Sequence, residues 1–280
     1  MILQTNLTVG AEQPFSLVHL SDTHLAFPDV PEAEKPVQPH DPAALTPVER
    51  LAQGVAAAKQ YGARLVHTGD LTDYVSAANL AYVRQFVAET ECFVAAGNHD
   101  FRLYRDHAFE DAAYRARSEA MVQQAFANNI RMDSKIINGV NLIALDDSYY
   151  QIDAQQAAFL EKEVQKGLPI ILLVHAPIYE SELFDTLMYH RERVRLPQLA
   201  EPCTYLIGVP PEKMTDYAPN RVIQQRSDAA TMEILAWIRS EPMFRAVLTG
   251  HVHCNCESRL RPDLPQLIIS RNDLRVLHVR

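Results

Sequence analysis

Apolar residues recur along this chain in two alternating patterns. Short runs rich in β-branched residues and leucine predict strands over Phe15–Leu20, Arg64–His67, Cys92–Ala95, Val140–Leu145, Ile170–Val174, Arg245–Leu248, Gln266–Ile269 and Arg275–Val279. Stretches of helical period lie between them. The first opens with Thr46-Pro47-Val48-Glu49, a capping box with proline at the first helical position, and continues with Val48, Leu51 and Val55 on one face. Further helices are predicted over Ala77–Glu89, Asp106–Asn128, Asp153–Lys166 and Ser227–Arg239. Strands alternating with helices are the signature of an α/β fold. No repeat or linker divides the chain, so residues 1–280 are expected to form one domain. Two stretches follow neither pattern. Pro28 to Pro47 holds six prolines, which exclude a continuous helix or central strand and predict an extended surface loop. Residues 179–226 are too long for an ordinary connection and are expected to be an insertion, either a cap or a functional loop.

Composition narrows the class. Of 280 residues, 48% are hydrophobic and 22% charged, enough apolar material to bury a core and too much for a disordered chain. Runs such as Ile170–Val174 are far shorter than the roughly 20 apolar residues a membrane helix needs. The opening Met1–Phe15 lacks the basic patch and apolar block of a secretory signal, so neither membrane insertion nor export is expected. Four cysteines (Cys92, Cys203, Cys254, Cys256) are too sparse for a disulfide framework and read as reduced thiols in a cytoplasmic setting. With 35 acidic against 26 basic residues, the net charge of −9 offers no broad footprint for long nucleic acid.

The chemistry lies where the strands stop. The first predicted strand ends in Ser21-Asp22-Thr23-His24, the second in Thr68-Gly69-Asp70, and the third in Gly97-Asn98-His99-Asp100. The fifth ends in His175 and the sixth in Gly250-His251-Val252-His253. Open α/β sheets bind ligands outside the carboxyl ends of their strands, so five ends converge on one crevice. Oxygen and nitrogen donors without thiolates suit Mn, Fe or Zn. Seven candidate ligands exceed one tetrahedral ion and suit a pair sharing a carboxylate, the usual clamp for in-line displacement at phosphorus. Asp22 and His24, like His251 and His253, are two residues apart, which in an extended chain places both side chains on one face. Glycine before Asp70, Asn98 and His251 permits a tight turn or close approach.

This ordered set, Asp22-x-His24, Gly69-Asp70, Gly97-Asn98-His99-Asp100, His175 and Gly250-His251-x-His253, resembles the calcineurin-like metallophosphoesterases. The runs His67-Thr68-Gly69-Asp70-Leu71-Thr72-Asp73 and Gly97-Asn98-His99-Asp100 are most similar to class III cyclic-nucleotide phosphodiesterases. The resemblance spans Ser16 to about His253. It implies a four-layer sandwich of two central sheets flanked by helices. It also implies two metal ions at the strand ends, one on Asp22, His24, Asp70 and His253, the other on Asp70, Asn98, His175 and His251. By the same resemblance His99 protonates the leaving oxygen or steadies the transition state, and Asp73 orients it. The expected reaction is attack on phosphorus by hydroxide from a water made acidic by the ions.

Other polar residues invite blander readings. His19 and His67, inside strand runs, are expected to pack or hydrogen-bond, and Asp100 to cap the local loop. Cys254 and Cys256 should face away from His251 and His253 by strand alternation, which argues against a zinc knuckle. Arg102, Arg105 and the run Arg191–Arg195 either hold substrate phosphate or form a solvated charged face. Phe184, Tyr189, Tyr205 and Tyr217 either stack on a nucleobase or pack the insertion. The predicted function is a phosphoesterase, favouring a phosphodiesterase on a small nucleotide such as a cyclic nucleotide. The same metal signature serves phosphomonoesterases, nucleases and nucleotide pyrophosphohydrolases. A non-catalytic regulatory protein on this fold would be expected to have lost ligands, and here every position is filled.

Overall fold

Strands buried on both faces must send successive side chains into two different cores, and this chain does so in two sheets. The computed structural model describes residues 1–27, 45–103, 111–193 and 203–280. One sheet has five strands, β1 (Ile2–Leu7), β2 (Phe15–Leu20), β3 (Arg64–Thr68), β4 (Phe93–Ala95) and β11 (Leu274–Val279), in the order β1-β11-β2-β3-β4. The other has six, in the order β5-β6-β7-β8-β10-β9. Its members are β5 (Met132–Ile137), β6 (Val140–Leu145), β7 (Ile170–Leu173), β8 (Phe244–Thr249), β9 (Cys256–Arg261) and β10 (Leu264–Ile268). Leu17, Val66 and Ala95 from the first sheet meet Leu142, Leu173 and Leu248 from the second in a shared core.

The alternate residues face outward onto helices. Val18, Leu65 and Val94 pack against α1 (Pro47–Tyr61) and α2 (Ala77–Thr90), while Ile143, Leu172 and Val247 pack against α5 (Ala154–Val164) and α8 (Ala229–Ser240). The result is the expected four-layer α/β arrangement. Thr46 caps α1 through the predicted capping box, and Gly62 closes it in the left-handed conformation. Among the described residues no helix is long and apolar enough to cross a membrane.

Three strands escape the sequence pattern, and each lies at a sheet edge. β1, β5 and β9 are half-exposed and carry polar residues throughout, so they show no apolar run. The expected helix over Asp106–Asn128 is a misreading. Residues 106–110 lie outside the described residues, and the remainder breaks into α3 (Ala112–Arg115) and α4 (Glu119–Gln123). Tertiary bonds override helical period there. Ser118 Oγ donates to the Phe101 carbonyl at 2.7 Å, and Arg115 reaches the buried carboxylate of Asp146 at 3.0 Å. Of the predicted proline-rich loop, residues 28–44 lie outside the described residues, and Pro47 begins α1.

The stretch 179–226 contains α6 (Ser181–Arg193) and α7 (Pro219–Gln225). Its apolar side chains, with Phe184 stacked on Tyr217 at 6.3 Å, pack onto Ile268, Val252 and Cys254 beside the end of β8.

Candidate metal centre

Each strand that ends near the interface of the two sheets releases its chain into a tight, hydrogen-bonded turn. Asp22 N donates to the Gly69 carbonyl and His24 N to the Asp70 carbonyl, both at 2.9 Å, which locks the loops after β2 and β3 together. His99 N donates to Asp70 Oδ1 at 2.8 Å, and His251 N to Asp22 Oδ2 at 2.9 Å. Carboxylates that would serve as ligands therefore also splice neighbouring loops.

The expected extended spacing is not what aligns these residues. Asp22, His24, Asp70, His251 and His253 all adopt left-handed backbone, with φ between 50° and 65°. Such conformations are disfavoured for side-chain-bearing residues and gather at functional sites where surrounding structure fixes them. At Gly69, with φ 92°, an added Cβ would lie 2.6 Å from both Gly97 N and His175 Nδ1. The glycine is therefore required for loop contact as well as for turning.

Of three overlapping donor groups among the described residues, one joins His24, Asp70 and His99 and the other two form separate clusters. Asp22, His24 and His253 bring one donor atom each within 4.8 Å of one another, and so do Asp70, His175 and His251. Asp70 Oδ2 stands between them, 3.7 Å from His24 Nε2 and 3.2 Å from His175 Nε2. Imidazole nitrogens face each other across both clusters, His24 Nε2 to His253 Nε2 at 3.2 Å and His251 Nδ1 to His175 Nε2 at 2.9 Å. The far nitrogens are occupied. His175 Nδ1 donates to the Thr68 carbonyl at 2.7 Å, and His24 Nδ1 lies 3.1 Å from Asp73 Oδ1. With protons held on the outer nitrogens of His24 and His175, the inner ones are the atoms a cation would take, His175 Nε2 on giving up its second proton. Asn98 Oδ1 is buried and has no hydrogen-bond partner among the described residues. Facing imidazole nitrogens, two buried carboxylates and an orphaned amide oxygen are a donor set that fits two cations.

Electrostatics agree with that fit. Burial alone would raise the Asp22 and Asp70 carboxyls, yet the imidazoles of His253 and His175 respectively outweigh it and hold both well below the usual range. Burial, reinforced by neighbouring histidines, lowers His24 and His251, keeping them neutral. His175 is pushed up to about 10, because Asp70, Asp22 and Asp147 overcome its burial. A bound cation would take the place of that proton.

His99 sits edge-on to His24 with ring centroids 4.7 Å apart. Its Nδ1 is 3.0 Å from both the backbone carbonyl and Oδ1 of Asp73. Burial opposes its charge, but Asp70 and Asp73 prevail and raise it to about 9. One oxygen of Asp73 thus touches both His24 and His99. Asp100 caps its loop as expected, accepting from Gly97 N at 2.9 Å and Thr72 N at 2.8 Å. His19 and His67 are buried and bond Thr68 Oγ1 and Thr23 Oγ1, at 2.8 and 3.2 Å.

Several residues at the site have no place in the sequence reading. Asp147 accepts from His175 N at 2.8 Å and from Ala176 N, fixing the turn after β7. Tyr150 Oη lies 2.8 Å from His251 Nε2, and Tyr149 Oη donates to the Asn98 carbonyl at 3.2 Å. Arg50 of α1 donates to the Thr23 carbonyl at 2.7 Å. The run Asp146-Asp147-Ser148 at the end of β6 was the available signal, because an acidic pair at a buried strand's carboxyl end meets the same criterion as the other five ends.

Of the aromatic residues in the stretch 179–226, Phe184 and Tyr217 are buried in its apolar cluster and Tyr189 is 53% exposed. Tyr205 stands edge-on to His251 at 5.5 Å, with the Arg221 guanidinium 5.4 Å above its ring. Arg102 is exposed. Arg105 and residues 194–195 lie outside the described residues, as do the side chains of 191–193. Cys254 Sγ and Cys256 Sγ approach to 2.8 Å and border the apolar cluster of the stretch 179–226.

The sequence matches the family profile described as calcineurin-like phosphoesterase over residues 15–255. Among solved structures, a dimetal phosphatase from Danio rerio aligns over 92% of this chain and 88% of its own, with a TM-score of 0.55 and 13% identity. A putative 5'-nucleotidase from Staphylococcus aureus aligns over 93% of this chain and 49% of its own (TM-score 0.46, 14% identity). The calcineurin-like phosphoesterase YfkN from Bacillus subtilis aligns over 92% and 82% (TM-score 0.42, 12% identity). No curated protein matches the chain significantly in sequence.

Proposed function

The chain belongs to the calcineurin-like phosphoesterase family, and from that premise we propose that it hydrolyses a phosphodiester of a small nucleotide, a cyclic nucleotide being the favoured substrate. Family membership together with the His/Asp clusters makes it a dimetal phosphoester hydrolase. In our reading Asp22, His24, Asp70 and His253 hold one ion, and Asp70, Asn98, His175 and His251 hold the other. Mn, Fe and Zn all suit these donors. When bound, such a pair makes water a stronger acid and polarises phosphoryl oxygens.

The chain's own groups supply the rest. His99, with Nδ1 engaged by Asp73, keeps its second proton on Nε2 and delivers it to the departing ester oxygen. Asp73 stabilises that protonated ring and fixes its orientation. The main-chain N–H of His99 bonds Asp70 Oδ1, so the shared carboxylate and the acid move as one unit.

The observation that carries this reading is the single Asp70 oxygen standing between two imidazole clusters, with His99 beside it. Small substrates are favoured because the centre is recessed. Asp70 and His175 are almost fully buried, and Tyr205 of the 179–226 segment, which we read as a cap, flanks His251. An aromatic ring there suits a nucleobase. The test is one Mn²⁺-loaded preparation assayed against cyclic nucleotides, phosphomonoesters, oligonucleotides and dinucleotide polyphosphates. Preferential turnover of cyclic nucleotides supports the proposal, and preference for any other class replaces it.

A further inference from the structure

Tyr149 and Tyr150, which follow β6, have no part in the steps above. Both are buried, and both have left-handed backbone, with φ of 66° and 62°. Such backbone is disfavoured for side-chain-bearing residues, and two in succession persist only where their surroundings fix them. Here Ser227 Oγ, arriving from the far side of α7, donates to the Tyr150 carbonyl at 2.9 Å. The two phenols then reach two neighbouring residues of one cluster, Tyr149 the carbonyl of Asn98 and Tyr150 the imidazole of His251.

The proton inventory of that cluster gives the second contact a meaning. His175 donates from Nδ1 to the Thr68 carbonyl, so a cation that displaces its second proton would meet Nε2. His251 faces it with Nδ1 at 2.9 Å. For both nitrogens to serve one cation, the proton of His251 must sit on Nε2, the atom 2.8 Å from Tyr150 Oη. We propose that Tyr150 is a positioning residue that fixes His251 as the Nε2–H tautomer and aims its Nδ1 at the cation shared with Asp70, Asn98 and His175. The inference rests on the reading of those four residues as one cation pocket. The strained turn at 149–150 is then the device that holds the phenol oxygen against the ring.

The wild-type protein tests this without any variant. In metal-stripped, ¹⁵N-labelled protein, long-range ¹H–¹⁵N imidazole correlations should show His251 protonated at Nε2, and an Nδ1–H ring would overturn the proposal. In Tyr150→Phe, which keeps the ring and loses the oxygen, the His251 Nε2–H signals should move upfield and exchange faster with water. Tyr149→Phe should leave them unchanged. Calorimetric titration with Mn²⁺ should show the pocket's equivalent weakened by about 10–100-fold in Tyr150→Phe, the usual effect of losing a hydrogen-bond partner behind a ligand, with the other equivalent unaltered. His175→Ala and His251→Ala separate the two layers of the argument. If neither abolishes an equivalent, the four-residue pocket is wrong. If both do, while Tyr150→Phe binds both ions like wild type, only the role of Tyr150 falls.

Discussion

Replacing Asp73 by Asn keeps the shape of the side chain and removes the charge that touches two imidazoles at once. In the metal-free protein the consequence can be worked out for His99. Its Nδ1 lies 3.0 Å from Asp73 Oδ1, a separation at which unit charges attract by about 5 kcal/mol at an effective dielectric of 20. Burial of the ring consumes part of this, and the net effect is a rise from 6.5 to about 9. That difference amounts to about 3 kcal/mol, shared between Asp70 and Asp73. Asp73→Asn should therefore lower the His99 pKa by roughly one to two units. The folded ring holds a proton that the unfolded chain releases above pH 6.5. Its stabilisation is accordingly complete below that pH and lost as pH rises through about 9. Metal-stripped wild type should lose stability over this window, and the variant should lose less. The assay is an NMR titration of the His99 Cε1–H resonance, with urea unfolding at pH 6 and pH 9 alongside. A wild-type pKa at or below 6.5, or a variant that titrates like wild type, would refute the reasoning.

The other predictions are briefer. His99→Ala should reduce turnover by about 10²–10⁴-fold while both metals remain bound, as read by steady-state kinetics and metal analysis; loss of metal with activity would remove the acid role. Gly69→Ala places a Cβ 2.6 Å from Gly97 N and His175 Nδ1 at a φ of 92°, and urea unfolding should register about 2–4 kcal/mol of destabilisation. A value near zero would mean that the loops yield. His67 is held at about 3 by its burial, so the unfolded chain takes up a proton that the folded chain refuses. Stability should fall as pH drops from 6.5 toward 3, by up to about 4–5 kcal/mol for this one residue. His67→Asn should flatten the acid limb of the melting profile, and an unchanged limb would place the sensitivity elsewhere.

What could be read from the sequence was whatever is encoded locally. Leu142 and Ile143, or Leu172 and Leu173, advertise a strand because the two faces enter different cores, and each core demands an apolar side chain. β1 with Gln4 and Asn6, or β9 with Glu257 and Arg259, has only one neighbouring strand and a half-wet surface, so nothing in its residues insists on burial. The residues that the structure gathers at the strand ends were legible for the same reason as the core strands. Aspartate, asparagine and histidine directly after apolar runs have few structural uses there, and five such endings in order point to one crevice.

The geometry that gathers those residues is a property of pairs of distant segments. Extended spacing seemed enough to align Asp22 with His24 and His251 with His253, yet all four are left-handed. They are held so by bonds from one strand end to another, Asp22 N to the Gly69 carbonyl and His251 N to Asp22 Oδ2. Tyr149, Tyr150 and Tyr205 extend the pattern, so that among the described non-glycine residues with positive φ only Glu91 and Asn138 stand apart from the site. Strain of this kind is disfavoured in an isolated turn and is tolerable only when both sheets have closed and every splice is made. The centre therefore cannot be preformed in any single βα unit. It appears when the β2–β3–β4 ends of one sheet meet the β7 and β8 ends of the other, which couples assembly of the two clusters to completion of the fold.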